Sequence, residues 1–468
     1  MTDLDNLTAN SVVASYRSGD LSPIEVTRAT LDRMNALNAQ YNAFCLIDED
    51  RALADAKASE KRWRCNKPLG LIDGVPATIK DLMLSKGWPT LRGSKTSEVS
   101  GPWEEDTPCV ARMREHGAVF VGKTTTPEFG WKGVTECALT GKTLNPWNTE
   151  RVSGGSSGGA AVAAALAMGF LHISSDGGGS IRMPAGFCGV FGFKPTFGVV
   201  PTYPSSAQGT LSHHGPTTRT VGDAALMLRV MAEADSRDWL ALNNQPPDFH
   251  NMLDRTEEVV KGLRIAYSRN LGYAQVDPDV LAQVDAAASV FNDLGATVDE
   301  VDPGFANPRQ YFEDIWSVGL AFLIAHIPDS KHHLMDEPIL ALADRGKSIG
   351  AVEYRESEYK REELGRLMGL FHTKYDLLLT PQLPLTAFAA GNEVPPGRGM
   401  TRWWEWSPFT YPFNLTQQPA ATVPCGFGSD GLPVALQIVG AKYADTLVLQ
   451  ASHAYEKIKP FLMPTPKS

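Results

Sequence analysis

The stretch RVSGGSSGGAAVAAALAMG, residues 151–169, sets two serines inside four glycines and continues into an alanine-rich segment. That segment has no polar face, which predicts a buried helix rather than a flexible linker. The glycines match neither the G-x-x-x-x-G-K-[ST] pattern of a P-loop nor the G-x-G-x-x-G pattern of a dinucleotide site. Two hypotheses stay open at this point: an anion held by free N–H groups at a helix start, or a reactive hydroxyl.

A second cluster, SSDGGGSIR at residues 174–182, favours the reactive hydroxyl. Three glycines precede Ser180, so four consecutive N–H groups, from Gly177 to Ser180, can converge without side-chain obstruction. Such an arrangement suits an oxyanion hole, in which fixed donors stabilise the charge that develops in a transition state. We therefore predict a nucleophilic Ser180, which requires a base.

Histidine is one class of base. His172 and Asp176 suggest a Ser/His/Asp triad with Ser180, but residues eight apart on a strand are separated by about 25 Å. We predict a structural role for His172. His213 and His214 lie in the loop-like segment TLSHHGPTTR, for which structural or gating roles are expected.

Lysine is the other class of base. Lys80, Lys123 and Lys194 each end a short apolar segment, and burial at such a position lowers the pKa of an amine towards neutrality. At least two of the three are expected to be structural lysines paired with carboxylates. Residue type and position alone do not choose among them.

Composition sets the class of protein. Of 468 residues, 43% are apolar and 21% charged, which is typical of a globular chain. The net charge of -10 gives no reason to expect direct binding to nucleic acid or to an anionic membrane. The apolar run 160–173 is too short to cross a bilayer, and residues 1–13 lack a secretory signal, so a cytoplasmic location is expected. Six scattered cysteines predict reduced, mostly buried thiols and no metal site.

Strands and helices alternate along most of the chain, which predicts an α/β protein. Residues 1–65 read as helical, with Ser22 and Pro23 beginning a helix. From about residue 72, short apolar strands alternate with helices, and residues 310–376 are mainly helical. We predict one large domain: an N-terminal helical segment (1–65), a catalytic core (66–230 and 377–468) and a variable, mainly helical insertion (231–376).

Three blocks make a family likeness visible: GVPATIKD (74–81), SGGSSGGAAVAAAL (153–166) and SSDGGGSIRMPAGFCGVFGFKPT (174–196). In this order and spacing they resemble the amidase signature family. The likeness continues to GLPVALQIVG (431–440) and so spans essentially the whole chain. The resemblance implies an α/β domain with a mixed, twisted central sheet flanked by helices on both faces.

The resemblance also implies a Ser-cisSer-Lys catalytic set. It assigns Lys80 as the base, Ser156 as a relay serine preceding a cis peptide bond, and Ser180 as the nucleophile. Further residues are implied in oxyanion or substrate binding (Gly130, Gly177, Gly178, Gly179) and in support of the site (Ser157, Asp176, Arg182). The implied reaction is cofactor-independent hydrolysis of an amide through an acyl-enzyme, with aryl amides, esters and carbamates as further substrates.

Several alternatives remain at this stage. The family includes glutaminase subunits of tRNA-dependent amidotransferases, but their G-x-E-x-x-R-R-I segment is matched only loosely by GAVEYRESEYKRE (350–362). We therefore expect a stand-alone amidase, monomeric or homodimeric, that acts on a small-molecule amide. A non-catalytic binding protein with the same fold is disfavoured by the intact Lys80, Ser156 and Ser180.

Some positions depart from the family pattern. Gly177 replaces a larger residue and is expected to loosen the oxyanion loop or widen the pocket, Val152 and Ser153 replace Ser-Pro, and Gln417 replaces a glycine. The tryptophan-rich segment TRWWEWSPFTYPF (401–413) borders the substrate channel in the family. Whether its tryptophans line that channel or pack in the core is left open by the sequence.

Overall fold

The computed structural model describes residues 4–242 and 245–465, and its central feature is one mixed sheet. The strands are β1 (Phe44–Ile47), β2 (Pro76–Lys80), β3 (Val119–Thr124), β4 (Glu136–Cys137), β5 (Gly141–Lys142), β6 (Leu171–Asp176), β7 (Phe191–Lys194), β8 (His213–Thr218), β9 (Arg264–Tyr267), β10 (Thr297–Glu300), β11 (Leu377–Pro381), β12 (Ala420–Phe427) and β13 (Pro433–Gly440). Eleven of them form the sheet in the order β1-β3-β2-β6-β8-β7-β12-β13-β11-β9-β10, while β4 and β5 pair separately.

Helices separate most of these strands. They are α1 (Ala9–Ser18), α2 (Pro23–Tyr41), α3 (Glu49–Arg64), α4 (Pro108–Glu115), α5 (Gly158–Ala165), α6 (Arg182–Cys188), α7 (Val221–Met231), α8 (Thr256–Val260), α9 (Pro278–Asp293), α10 (Arg309–Ile324), α11 (Glu337–Ser348), α12 (Ala351–Phe371), α13 (Pro412–Leu415) and α14 (Asp445–Ile458). Every residue of α5 is buried, as its lack of a polar face predicts. In the described ranges, none of these helices is both long enough and apolar enough to cross a membrane.

The alternation along β3 shows that both faces of the sheet are covered. Phe120 packs into an apolar cluster with residues of α4 and α7. Its neighbours Val119 and Val121 pack into a different cluster with residues of α2, α3 and α5. Because successive side chains on a strand point to opposite faces, these two clusters lie on opposite sides. The predicted α/β sheet with helices on both faces is confirmed.

The N-terminal helices begin where the sequence indicates, with one interruption. The Ser22 hydroxyl accepts a hydrogen bond from the Glu25 N–H (3.2 Å), and the Glu25 carboxylate accepts one from the Ser22 N–H (2.8 Å). This capping box fixes the start of α2. The helical prediction for residues 1–65 misses β1, which pairs antiparallel with β3. Four residues are too few for a visible alternation, and this strand depends on its distant partner.

The segment predicted as a loop at His213 and His214 is wrong. It forms β8, a fully buried strand between β6 and β7. Gly215 and Pro216 hide it, because proline removes a donor from the ladder and both residues usually punctuate loops. The structure instead pairs Pro216 with Ile173 of β6 in an antiparallel register.

Strands β9 and β10, which lie in the predicted insertion 231–376, join the same sheet. Both run parallel to β11 and extend the sheet beyond it. The helical remainder of this segment is α10, α11 and α12. The division of the chain into core and insertion stays a prediction.

The six cysteines are all unbridged thiols. Cys109, Cys137 and Cys188 are buried, whereas Cys45 and Cys65 are exposed. The expectation of free thiols is thus met, but they are not mostly buried.

Candidate active site

The site forms where two neighbouring parallel strands end. Strands β2 and β6 pair in parallel, with Ile79 opposite Ile173. Lys80 is the last residue of β2, and Ser175 and Asp176 are the last two of β6. The carboxyl ends of parallel strands form one edge, where ligands of α/β sheets usually bind. The glycine-rich turn before α5 brings Ser156 and Ser157 to this edge.

Three hydroxyl groups surround the Lys80 amino group. Its Nζ atom lies 2.7 Å from Ser156 Oγ, 2.8 Å from Ser157 Oγ and 3.1 Å from Ser175 Oγ. The Lys80 side chain is 0% exposed. Burial lowers the pKa of Lys80 well below its ordinary value, and the negative charge of Asp176 opposes that shift only in part. The site therefore favours a neutral amine among hydroxyls.

The other two lysines have different partners. Lys123 forms a buried ion pair with Asp81, with Nζ and Oδ1 2.8 Å apart. Lys194 donates to the backbone carbonyls of Gln418 and Pro195. The expected carboxylate partner is present for Lys123 but not for Lys194. The choice among three lysines that residue type left open is thus decided by geometry in favour of Lys80, since only its amine meets serine hydroxyls.

Ser180 follows the glycine loop and is 5% exposed. Its carbonyl accepts a hydrogen bond from the Ser157 N–H (3.1 Å), which ties the two glycine–serine clusters together. The Gly179 N–H donates to Asp176 Oδ1 (2.7 Å) and so does not point into the site, contrary to the prediction of four converging donors. In the described chain, the N–H groups of Gly177, Gly178 and Ser180 have no protein acceptor.

Asp176 and Arg182 hold this loop from below. Both side chains are 0% exposed, and Arg182 Nε lies 2.9 Å and Nη2 3.0 Å from the two oxygens of Asp176. Burial alone would raise the pKa of Asp176, but the charge and hydrogen bonds of Arg182 outweigh it and keep that pKa well below its usual value. Asp176 thus stays ionised and holds the Gly179 and Ile181 N–H groups.

Three residues that the sequence analysis did not select complete the site. Asn414 donates to Asp176 Oδ1 (2.8 Å), and Gln437 accepts from Arg182 Nη1 (2.8 Å). Ser175 contacts Lys80. A buried ion pair needs further polar partners, and this requirement is the signal that points to Asn414 and Gln437, two amides inside the family-like blocks.

Ser156 is positioned by an unusual backbone and by Gly130. The peptide bond between Gly155 and Ser156 is cis; it precedes Ser156, whereas the prediction placed it after this residue. Gly130 has φ +70°, and a β-carbon there would lie 2.8 Å from Leu82 Cδ1 and 3.2 Å from Ser156 Oγ. Gly130 therefore packs directly against the Ser156 hydroxyl.

We expect Gly130→Ala to lower kcat by about 10-fold to 100-fold, because a displacement of that order at a reacting group costs that much. The added methyl group would push on Ser156, and the left-handed backbone would be strained. Gly209→Ala is the matched control, since its φ is also positive (+53°) but nothing lies within 4 Å of the added atom. Equal kcat in the two variants, measured with a chromogenic anilide, would refute the placement of Ser156.

The histidines have local partners. His172 Nδ1 lies 2.9 Å from Thr78 Oγ1, and burial lowers the pKa of His172 to about 3. His213 Nδ1 lies 2.8 Å from the Leu211 carbonyl. Among the described residues neither ring contacts Ser180, so no Ser/His/Asp triad forms. The structural role predicted for His172 agrees with these contacts.

The tryptophans of segment 401–413 pack in the core. Trp403, Trp404 and Trp406 are at most 2% exposed. A β-carbon on Gly178 would lie 2.7 Å from the Trp403 ring, and one on Gly177 would lie 3.3 Å from the Trp316 ring. These indoles therefore support the glycine loop from behind. Trp316 fills the space beside Gly177, so the missing side chain does not widen the pocket.

The other departures are accommodated locally. The Ser153 hydroxyl donates to the Thr143 carbonyl (2.9 Å). Gln417 has φ +62°, the conformation that a glycine would adopt more easily, and its side chain accepts from Lys442 Nζ (2.9 Å). Neither change touches Lys80, Ser156 or Ser180.

A cavity of about 320 Å³ adjoins the Lys80 centre. Ser175, which contacts Lys80, and Phe129, which precedes Gly130, both contribute to its wall. Its wall is largely apolar or aromatic, with a smaller number of polar groups. The principal lining residues are Leu82, Met83, Arg92, Phe129, Ser175, Tyr203, Gln208, His214, Leu320, Phe322, Leu323 and His326.

Comparison with known proteins identifies the family. The model of the Amidase family matches residues 25–449. The chain belongs to the amidase signature family. This amidase is 36% identical over 462 residues to an acylamidase of Rhodococcus erythropolis, covering 97% of this chain and 96% of that protein. It is also 36% identical over 467 residues to one of the subunits of the glutamyl-tRNA(Gln) amidotransferase of Synechococcus sp. (strain CC9311), covering 94% of each.

A solved structure gives the same result. A bacterial aryl acylamidase belonging to the amidase signature enzymes superposes on this amidase with a TM-score of 0.89 at 29% identity, covering 97% of this chain and 96% of that one. The predicted family, fold and enzyme class are confirmed: the protein is an amidase, a hydrolase that acts on carbon–nitrogen bonds.

Proposed function

We propose that this amidase acts without partner subunits and hydrolyses small carboxamides through an acyl-enzyme on Ser180. The observation that carries the proposal is the buried Lys80 amine, 2.7 Å from Ser156 Oγ and within reach of no carboxylate in the described chain. A neutral amine in this position is a base, whereas a lysine paired with an acid would stay protonated.

The hydrogen-bond pattern around Lys80 supports Ser156 as the proton donor. The Ser157 hydroxyl donates to the Ser175 carbonyl (3.2 Å), so it has no second hydrogen to give and must accept one from Lys80. A neutral amine has two N–H groups and one lone pair. If Ser157 and Ser175 accept the two N–H groups, the lone pair faces Ser156 and can take its proton.

The proposed reaction then proceeds in two stages. Ser156 passes its proton to Lys80 and takes one from Ser180, whose Oγ forms a bond to the amide carbon. The N–H groups of the 177–180 loop that lack protein acceptors, those of Gly177, Gly178 and Ser180, stabilise the negative oxygen. The carbon–nitrogen bond breaks as the proton returns through Ser156 to the departing amine. Water, activated by the same relay, releases the carboxylic acid.

The cavity favours amides with an apolar or aryl group. Leu82, Phe129 and Leu323 are among its lining residues, and such walls bind hydrocarbon and ring substituents through burial of apolar area. This chemistry is compatible with acyl anilides, esters and carbamates. A monomer or homodimer is proposed as the active form.

A second candidate is the glutaminase subunit of a tRNA-dependent amidotransferase, which the 36% identity to the Synechococcus amidotransferase protein favours. In that case the substrate would be glutamine, and turnover would require partner subunits. The largely apolar cavity beside Lys80 suits glutamine less well than an anilide.

A substrate panel separates the two candidates. We expect the isolated protein to release amine from 4-nitroacetanilide, phenylacetamide and a phenyl carbamate, with kcat/KM at least 10-fold above that for ammonia release from glutamine. Released amine and ammonia are measured directly. Ammonia release from glutamine alone, and only with partner subunits added, would replace the proposal with the second candidate.

A further inference from the structure

Arg92 lies in the wall of the cavity beside the Lys80 centre. Its backbone is held in place, because its carbonyl accepts a hydrogen bond from the Phe129 N–H (2.7 Å) in the loop that places Gly130 against Ser156. Arg92 has φ +55°, a conformation that costs an arginine about 1 kcal/mol or more and that glycine or asparagine would adopt more easily. A large cation is thus kept at a backbone position that does not favour it.

The guanidinium of Arg92 differs from the other buried cations. Lys80, Lys123, Arg182, Lys194 and Arg361 each contact at least one polar protein atom. In the part of the chain that the structure describes, the Arg92 side chain has no hydrogen-bond acceptor and no carboxylate within ion-pair distance. A largely buried cation without a partner is costly, so the arrangement points to a partner that arrives from outside.

The nearest acid does not supply that partner. Asp81 influences the pKa of Arg92, raising it against the lowering that burial causes. However, the Asp81 carboxylate is bonded to Lys123 (2.8 Å) and to the Leu91 N–H (3.3 Å). Two cations therefore share one carboxylate, which leaves one uncompensated positive charge beside the cavity.

The rest of the cavity wall contributes no negative charge. Its described lining contains neither aspartate nor glutamate. Burial, with a smaller effect of the Lys80 charge, lowers the pKa of His214 to about 4, so this ring is neutral near pH 7 and does not compete with an arginine for anions. A carboxylate in the cavity would find Arg92 as its cationic partner and hydroxyl or ring N–H donors around it.

We propose that Arg92 binds a carboxylate carried by the substrate, so that this amidase prefers amides that bear an anionic group. The inference rests on the proposed hydrolase function and narrows its substrate class. Such a substrate carries its carboxylate either on the acyl side, as in a dicarboxylic acid monoanilide, or on the amine side, as in an acylated aminobenzoate. Arg92 is a specificity-determining residue here and takes no part in the proton relay.

The test compares charged substrates with neutral isosteres. Glutaric acid monoanilide is paired with hexananilide, and 4-acetamidobenzoate with 4-nitroacetanilide. In the wild-type protein we expect kcat/KM for one charged member to exceed that of its neutral partner by at least 10-fold. Which pair shows the preference identifies the side of the scissile bond that faces Arg92.

Variants assign that preference to the arginine. Arg92→Gln is expected to lower the charged-to-neutral ratio of kcat/KM by about 100-fold, mainly through KM, since losing one partner of a desolvated charge pair has effects of that size. Arg92→Lys should restore part of it. Arg28→Gln, on the exposed surface of α2, is the matched control and should leave the ratio unchanged.

Binding of the free acids gives a readout independent of turnover. Glutarate and benzoate are titrated calorimetrically into the wild-type protein and Arg92→Gln, and thermal unfolding confirms that the variant is folded. Wild-type binding that weakens at least 10-fold in the variant supports the inference. If the protein hydrolyses the neutral anilides but shows neither a charge preference nor Arg92-dependent anion binding, the inference is overturned while the hydrolase proposal stands. If no amide is turned over, the hydrolase proposal fails, and the anion titration still decides the role of Arg92.

Discussion

Ser180→Ala is expected to lower kcat for amide hydrolysis by roughly four to six orders of magnitude, the range seen when a nucleophilic serine is removed from a hydrolase. Without the Ser180 Oγ atom no acyl-enzyme can form. The loop itself should survive the change, because Asp176 holds its Gly179 and Ile181 N–H groups and Ser157 holds the carbonyl of residue 180. Turnover of an anilide, together with thermal unfolding, measures the effect.

A fluorophosphonate probe makes the same prediction visible as a covalent product. The wild-type protein should carry the adduct on the peptide that contains Ser180, and Ser180→Ala should carry none. Ser174→Ala is a matched control, because Ser174 is a buried serine on β6 whose hydroxyl accepts from Thr217 Oγ1 (2.9 Å) and does not contact Lys80. An adduct on any other serine, or a Ser180→Ala variant within 10-fold of wild-type kcat, would overturn the assignment of the nucleophile.

The parts of the site that the sequence predicted are those specified by local pattern. A short apolar run ending in a lysine predicts a strand whose last residue reaches the sheet edge, and Lys80 occupies that position. The glycines around Ser156 and before Ser180 predict close backbone approach, which the tie between Ser157 and Ser180 shows. The capping residues of α2 likewise act within one turn of helix.

The parts that the sequence missed depend on contacts between distant segments. Ser175 reaches Lys80 only because β2 and β6 are neighbours in the sheet. Strand β8 reads as a loop because its glycine and proline are local signals, whereas burial between two other strands decides its conformation. Arg92 carries no sequence signal at all, since its lack of a partner is a property of the folded chain. Nor can a glycine run reveal that the Gly179 N–H is taken by Asp176.

Lys80→Met is expected to lower kcat/KM by about 10² to 10⁴-fold, which is the contribution of a positioned general base. Methionine has nearly the length of the lysine stem and fills the same buried space, so little packing is lost. The three hydroxyls that surround Lys80 Nζ would remain in place, but none of them is basic enough to activate Ser180 near neutral pH. The measurement is anilide turnover across a pH series with both proteins shown to be folded.

The pH dependence tests the role of Lys80 more sharply than the size of the loss. Burial lowers the pKa of Lys80, and the active form of a base is the deprotonated one. Wild-type kcat/KM should therefore rise with pH through that lowered pKa and then level off, at a pH well below the value for a free lysine. In Lys80→Met this levelling should disappear, while Ser174→Ala should keep it. A methionine variant that retained the same profile would show that another group titrates, and that Lys80 is a structural contact of Ser156 rather than its base.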